Sequence, residues 1–163
     1  MTPQVVVGVD PGSQATGFGV VAGGRQQVAH VAHGQIAPRG RAPLPERLRQ
    51  IYDALLEILQ RHRPHTLALE DLFLARNVKS AFTLGQVRGV ILLAAAQMGV
   101  PVQVYPALVV KKAVVGYGQA SKSQVQLMVE QLLGLKVSGQ HAADALAVGL
   151  CHLFHLRLPL IAP

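Results

Sequence analysis

The sequence has little cysteine, few aromatic residues and no long apolar run. Its 163 residues include one cysteine, Cys151, and aromatic residues make up 4% of the chain. A single cysteine excludes a disulfide scaffold and a zinc or iron–sulfur site built from several cysteines. No apolar run reaches the ~18 residues that a membrane-spanning helix needs, and residues 145–156 come nearest. These absences, with no signal-peptide pattern at the N-terminus, predict a soluble protein of the cytoplasm.

Acidic residues are also scarce. Lysine and arginine number 15 against 8 aspartates and glutamates, which gives a formal net charge of +7. Such an imbalance favours a polyanionic partner, and nucleic acid ranks ahead of a membrane surface. Half of the residues are hydrophobic, so the chain can bury a substantial core. Its length fits a single domain over residues 1–163.

The order of apolar patterns predicts a mixed α/β fold, with a sheet of about five strands flanked by helices. Strands are predicted at residues 4–10, 17–22, 28–34, 66–70 and 102–105. Helices are predicted at residues 44–62, 79–98, 121–133 and 141–156. Residues 71–77 are predicted as an exposed loop, and residues 111–122 as a mobile basic segment with a helical start.

The eight acidic residues fall into two groups. A solvated helix face explains four of them, which are Glu46, Asp53, Glu57 and Glu130. The other four follow predicted strands or lie in an apolar helix, and they are Asp10, Glu70, Asp71 and Asp144.

Three acids of the second group suggest a metal site. Asp10 and Glu70 end predicted strands, and Asp144 shares a helix face with His141, three residues earlier. Each alone could be a helix cap, a turn residue or half of a buried ion pair. Together, in a basic protein with few acids, they suggest oxygen ligands for Mg²⁺ or Mn²⁺. Paired ions of this kind hydrolyse phosphodiesters.

Four blocks of the sequence resemble the RuvC-type Holliday junction resolvases of bacteria. They are VGVDPGSQATGFGVV (7–21), LALEDLFLARNVKSAFTLGQVRGV (67–90), VVKKAVVGYGQASKSQVQLMV (109–129) and HAADALAVGLCH (141–152). The resemblance implies a ribonuclease-H-like fold and a homodimer that makes paired nicks across a four-way DNA junction. It also implies a divalent cofactor, with two Mg²⁺ or Mn²⁺ ions per active site, and a branch-migration helicase complex as a partner.

The resemblance also assigns the candidate catalytic residues. Asp10, Glu70 and Asp144 match three of the family's four acids, and His141 stands where the family usually has a fourth aspartate. All four are predicted as catalytic residues and metal ligands. Since imidazole adds no negative charge and is a softer ligand than carboxylate, we hypothesise a preference for Mn²⁺. His141 could instead take a proton from the attacking water near neutral pH, or it could only cap or pack the start of its helix.

A second set of residues is predicted to contact DNA. Phe73 matches a family aromatic residue that stacks on bases, and Lys111 and Lys122 match lysines near the scissile phosphate, where a cation offsets developing charge. The other candidates lie beside these in the sequence. The full set is Phe73, Arg76, Asn77, Lys79, Lys111, Lys112 and Lys122.

The helix predicted at residues 79–98 is apolar around its whole circumference. Packing on one side would leave apolar surface in water, so the pattern predicts a dimer, with Gly85 and Gly89 allowing close backbone approach. The alternative is burial beneath a neighbouring helix of the same chain. Two other functions stay open, a junction-binding protein that does not cleave and a nuclease of the same fold that acts on structured RNA.

Overall fold

The structure is a computed structural model that describes residues 2–24, 27–71 and 77–157. These residues form five strands and five helices. The strands are β1 Gln4–Asp10, β2 Thr16–Gly23, β3 Val28–Ile36, β4 Thr66–Asp71 and β5 Val102–Pro106. The helices are α1 Leu44–His62, α2 Val78–Gln97, α3 Ala107–Val115, α4 Lys122–Leu133 and α5 Gln140–Arg157.

The strands form one mixed sheet in the order β3-β2-β1-β4-β5. The first three strands are an antiparallel meander, whereas β4 pairs with β1 and with β5 in parallel. Helices flank the sheet, as the sequence predicts. Because Val9 lies opposite Leu69 in the parallel pair β1–β4, Asp10 and Glu70 emerge side by side where these two strands end.

Each face of the sheet has its own apolar core. One core joins β-strand valines to Ile51, Leu55 and Leu59 of α1 and to the buried side of α2. The other core lies under α3, α4 and α5, and α5 covers its centre. The short spacing of apolar residues in α5 follows from this position, since nearly every residue from Ala145 to Leu153 is buried.

Glycines in β1 and β2 let the backbone of α5 lie directly on the sheet. A Cβ on Gly8 would be 1.9 Å from the carbonyl oxygen of Ala145, and a Cβ on Gly17 would be 2.1 Å from that of His141. No side chain fits at either position, because real Cβ atoms do not approach a carbonyl oxygen so closely. The contact fixes the N-terminal half of α5, which carries His141 and Asp144, against the end of β1.

The helical start predicted for residues 111–122 is present, since Lys111 and Lys112 lie in α3, which begins earlier, at Ala107. The prediction for Glu130 needs correction. The side chain of Glu130 is only 12% exposed, and its carboxylate accepts a hydrogen bond from the backbone N–H of Val137 at 3.0 Å. A solvated helix face therefore does not explain Glu130, which holds the turn that follows α4.

Among the described residues, one helix, α2, is long and apolar enough to cross a membrane, judged by length and composition alone. The prediction that no apolar run has this length is therefore wrong for α2. Composition of this kind is also found in helices that pack in soluble cores. Val87, Ile91, Ala94 and Ala95 are buried against α1 and the sheet, which accounts for one side of the helix.

The close approach at Gly8 predicts a specific effect of adding one methyl group. Gly8→Ala should lower the free energy of unfolding by about 1–3 kcal/mol or more, because the backbone of α5 must move away from β1. Gly40→Ala is the matched control, since nothing lies within 4 Å of a Cβ there and its stability should stay within about 1 kcal/mol. Urea denaturation of both variants measures the difference. Equal stabilities would contradict the predicted contact.

Candidate active site

Three carboxylates and two lysines line one cavity at the ends of β1 and β4. Its volume is about 230 Å³, and its apolar lining comes from α3, α4 and α5. The charged residues that line it are Asp10, Glu70, Lys111, Lys122 and Asp144. All five were among the residues that the sequence predicted for catalysis or DNA contact.

Each charged group reaches the cavity from a different element. Asp10 is the last residue of β1, and Glu70 is the penultimate residue of β4. Lys111 projects from α3, and Lys122 is the first residue of α4, directly after the capping residue Ser121. Asp144 comes from the start of α5. The cavity therefore forms only when the sheet and three helices are assembled.

His141 belongs to the edge of this site rather than to its interior. Its Nδ1 lies 2.7 Å from Oδ2 of Asp10, so the imidazole donates a hydrogen bond to that carboxylate. The His141 side chain is 44% exposed, whereas that of Asp10 is 15% exposed. His141 is not among the residues that line the cavity, although it contacts Asp10, which is.

The side chains do not form a ready-made metal cage. Among residues 2–24, 27–71 and 77–157, no three histidine, cysteine or acidic side chains are close enough together to hold one ion. The three carboxylates nevertheless share a cavity whose donors are oxygen atoms, which is the donor set that Mg²⁺ and Mn²⁺ prefer. The chemistry of these residues fits a hard divalent cation.

Two polar contacts that the sequence did not predict hold the acids in place. Gln140 donates from Nε2 to Oδ1 of Asp144 at 2.9 Å, which leaves the other carboxylate oxygen free of this bond. Arg88 of α2 donates from Nη1 to the backbone oxygen of Glu70 at 3.2 Å, and its Nη2 lies 3.7 Å from Asp71. The four-residue spacing of Gln140 and Asp144 on one helix could have signalled the first contact. No sequence pattern signals the second.

The cavity carries more negative charge than its lysines neutralise. Burial, followed by the charges of Asp10 and Asp144, raises the pKa of Glu70 to about 7, although Lys111 and Lys122 act in the opposite direction. The pKa of Asp10 is raised chiefly by burial, and the hydrogen bond from His141 opposes this effect. Buried carboxylates with raised pKa values are typical of sites that a cation completes.

The predicted DNA contacts lie in several places. Phe73 and Arg76 lie outside the described residues. The side chain of Asn77 caps α2 by accepting a hydrogen bond from the N–H of Ser80 at 2.8 Å, and Lys79 is exposed in the first turn of the same helix. Lys112 is exposed and faces a different cavity from the acids. Of the candidates that the structure describes, Lys111 and Lys122 alone are brought together with the carboxylates.

The raised pKa of Glu70 predicts a pH dependence of stability in metal-free protein. A carboxyl whose pKa rises on folding from 4.5 to about 7 stabilises the fold below the lower value, and this contribution is lost as the pH rises through the upper one. The melting temperature of Glu70→Gln should therefore fall less than that of the wild type between about pH 5 and pH 8. Glu57→Gln, on the exposed face of α1, should keep the wild-type pH dependence. Parallel curves for the wild type and Glu70→Gln would contradict this account.

Comparison with known proteins agrees with the geometry of the fold and the site. The chain matches the family described as crossover junction endodeoxyribonuclease RuvC over residues 6–152. It is 49% identical to the RuvC of Magnetococcus marinus over 153 residues, which are 93% of this chain and 85% of that protein. This relative thus agrees with the family match.

Solved structures show the same likeness. The structure of Thermus thermophilus RuvC in complex with a Holliday junction substrate matches with a TM-score of 0.89 and 39% identity, over 94% of this chain and 95% of the other. The yeast mitochondrial Holliday junction resolvase Ydc2 matches with a TM-score of 0.63 at 7% identity, which bears on the fold alone. The ribonuclease-H-like fold predicted from the sequence is confirmed. The chain belongs to the RuvC family of crossover junction endodeoxyribonucleases.

Proposed function

We propose that this protein is a divalent-metal-dependent endonuclease that resolves four-way DNA junctions by paired symmetric nicks during recombination and repair. The observation that carries the proposal is the single cavity that holds three carboxylates and two lysines. It occurs in a chain that is 39% identical to a RuvC protein whose solved complex contains a Holliday junction. The net charge of +7 suits binding to a polyanion.

The three carboxylates are the proposed metal ligands. Asp10, Glu70 and Asp144 would hold two Mg²⁺ or Mn²⁺ ions per site, and the bound ions would supply an activated water and countercharge for the phosphate. Glu70 must lose its proton to ligate an ion, and a nearby cation favours that loss. The hydrogen bond from Gln140 holds Oδ1 of Asp144, and Oδ2 would be left for a metal ion.

The lysines of the cavity have a different role in the proposal. Lys111 and Lys122 lie beside the acids on two separate helices, so they can contact a phosphate group from two directions. Their ammonium groups would offset the negative charge that develops on the phosphate oxygens. Phe73, Arg76, Asn77, Lys79 and Lys112 remain predicted DNA contacts, and of these the described residues Asn77, Lys79 and Lys112 do not line this cavity. Loss of a phosphate contact weakens binding and lowers its salt dependence.

His141 acts, in this proposal, through Asp10. The hydrogen bond at 2.7 Å fixes which oxygen of Asp10 faces the cavity, and it leaves the imidazole half exposed. Direct ligation of a metal would have to use the other ring nitrogen, Nε2, while Nδ1 keeps its hydrogen bond to Asp10. The hypothesis of a Mn²⁺ preference depends on such ligation, and a positioning role for His141 predicts no such preference.

A second copy of the chain is the proposed partner of α2. On the face of α2 that points away from α1, Phe82 is 70% exposed and Leu93 is 57% exposed. Nothing lies within 4 Å of a Cβ at Gly85 or Gly89 on this helix. Burial beneath a neighbouring helix of the same chain therefore does not explain this face. Symmetric cleavage of two strands needs two active sites, which a two-fold dimer provides.

Other parts of the proposal come from the family likeness alone. A branch-migration helicase complex is a proposed further partner, and no described surface is assigned to it. A cytoplasmic location follows if the substrate is chromosomal DNA of a bacterium. Junction binding without cleavage is less well supported, because Asp10, Glu70 and Asp144 are all present in one cavity. Cleavage of structured RNA is less well supported, because the RuvC protein that is 39% identical was solved with a Holliday junction substrate.

The function is tested by cleavage of a mobile four-way junction beside linear duplex of the same sequences, in Mg²⁺ and in Mn²⁺. We expect paired symmetric nicks that are confined to the junction. Asp10→Asn should bind the junction but reduce cleavage by at least about 100-fold, since a ligand charge is lost while the positive surface is kept.

Two further variants separate the roles within this experiment. His141→Asp should leave the ratio of Mn²⁺ to Mg²⁺ activity unchanged if His141 positions Asp10, and should lower the ratio if His141 is a ligand. Glu57→Gln, far from the cavity, should cleave like the wild type. Tight binding with no cleavage in either metal would instead support a junction-binding protein.

The exposed face of α2 predicts that the dimer depends on Phe82. Phe82→Lys should convert the dimer to a monomer at micromolar concentration, because a charge would be buried at the centre of an apolar contact. Leu127→Lys is the matched control, since Leu127 is an exposed leucine on α4, away from this face. Light scattering after size exclusion gives the mass of each variant. A wild-type protein that is already monomeric would contradict the proposal.

A further inference from the structure

An irregularity in β3 brings two histidines to the same side of the sheet. Val20 lies opposite Ala32, whereas the next residue, Val21, lies opposite His30, so Val31 is an extra residue in β3. In a regular strand, residues three apart point to opposite faces. The bulge reverses this for His30 and His33, whose partners Val21 and Gly19 are two apart in β2 and share a face.

The two imidazoles face each other at short range. Nε2 of His30 lies 2.8 Å from Nδ1 of His33, and the ring centroids are 4.9 Å apart with an interplanar angle of 65°. Both residues are half-buried, so solvent reaches them on the outer edge of the sheet. In the structure the pair is joined by one hydrogen bond, in which one ring nitrogen donates to the other.

We propose that His30 and His33 form a binding site for a Cu²⁺ ion. The ion would bind Nε2 of His30 and Nδ1 of His33, and water would complete its coordination. The ring that now donates the hydrogen bond would move its proton to its other nitrogen, so both imidazoles would bind in the neutral form and no net proton would be released. This site does not depend on the proposed nuclease function.

The separation of the two nitrogens indicates which ion fits. With metal–nitrogen bonds of about 2.0 Å, a 90° angle at the metal separates the nitrogens by about 2.8 Å, whereas a tetrahedral angle separates them by about 3.3 Å. The observed 2.8 Å is the length of the hydrogen bond between the rings, so each ring must turn to direct its nitrogen at the ion. The nitrogens can keep this separation for a 90° angle, whereas a tetrahedral angle requires them to move apart by about 0.5 Å. Square-planar or tetragonal coordination by nitrogen is typical of Cu²⁺ and Ni²⁺, and Zn²⁺ prefers a tetrahedron. Cu²⁺ binds such ligands more tightly than Ni²⁺ does.

The imidazole pair is separate from the acid cavity in position and in chemistry. Its strand, β3, is an edge of the sheet and is two strands away from β1. The acid cavity offers carboxylate oxygens to hard cations, whereas the pair offers two nitrogens. The two sites should therefore select different metals.

The test uses the full chain with Cu²⁺ as the only added metal. Titration calorimetry should show a site of one equivalent, and the electron paramagnetic resonance spectrum should show hyperfine coupling to two nitrogens. His30→Gln and His33→Gln should each weaken this binding at least tenfold. Zn²⁺ should bind the wild type at least tenfold more weakly than Cu²⁺.

Two controls make the result specific. His62→Gln, a half-buried histidine on α1, should keep the wild-type affinity, and Asp10→Asn should keep it because the acid cavity is not involved. Circular dichroism checks that each variant is folded. Unchanged Cu²⁺ affinity in folded His30→Gln and His33→Gln, or a spectrum with oxygen ligands only, would overturn the proposal and leave the pair as a hydrogen bond.

Discussion

The contact of α5 with the glycines of β1 and β2 is the constraint on which the site depends. Because Gly8 and Gly17 have no side chain, the carbonyl oxygens of α5 approach the sheet more closely than a helix packed on side chains can. The approach places the start of α5 beside the end of β1. Without it, neither the hydrogen bond from His141 to Asp10 nor the common cavity of Asp10 and Asp144 could form.

This arrangement brings three carboxylates and two lysines into one cavity, so the negative charges outnumber the positive ones there. Burying like charges together is unfavourable, and the raised pKa of Glu70 expresses that penalty. Lys111 and Lys122 lower the penalty but do not remove it. The imbalance has a function in a metal-dependent nuclease, because the energy released when a divalent cation neutralises the acids contributes to its binding. The same lysines then remain available for phosphate.

The parts of this structure that depend on local pattern could be predicted from the sequence. The helix predicted at residues 44–62 has the bounds of α1, and the helix predicted at residues 121–133 matches α4 to within one residue. The functional role of the acids at the strand ends could also be predicted, since burying a carboxylate without a partner or a metal is energetically costly.

Features that depend on contacts between different elements of the fold could not be predicted in the same way. The side chain of Glu130 is drawn to the N–H of Val137 by the turn after α4, and the bulge at Val31 arises from pairing with β2. The hydrogen bond between His141 and Asp10 joins residues that are 131 positions apart in the sequence. None of these leaves a repeating pattern in the sequence.

Arg88 connects helix α2, which carries the proposed dimer face, to Glu70 of the acid cavity. One side of the helix packs on α1 through Val87 and Ile91, and another presents the exposed apolar face. Between them, Arg88 reaches the backbone oxygen of Glu70 and leaves the carboxylate of that residue free for the cavity. A shift of α2 would therefore move the end of β4. If a second copy packs on this same helix as proposed, the dimer contact and the position of Glu70 would share α2, and assembly of the dimer would bear on the geometry of the acids.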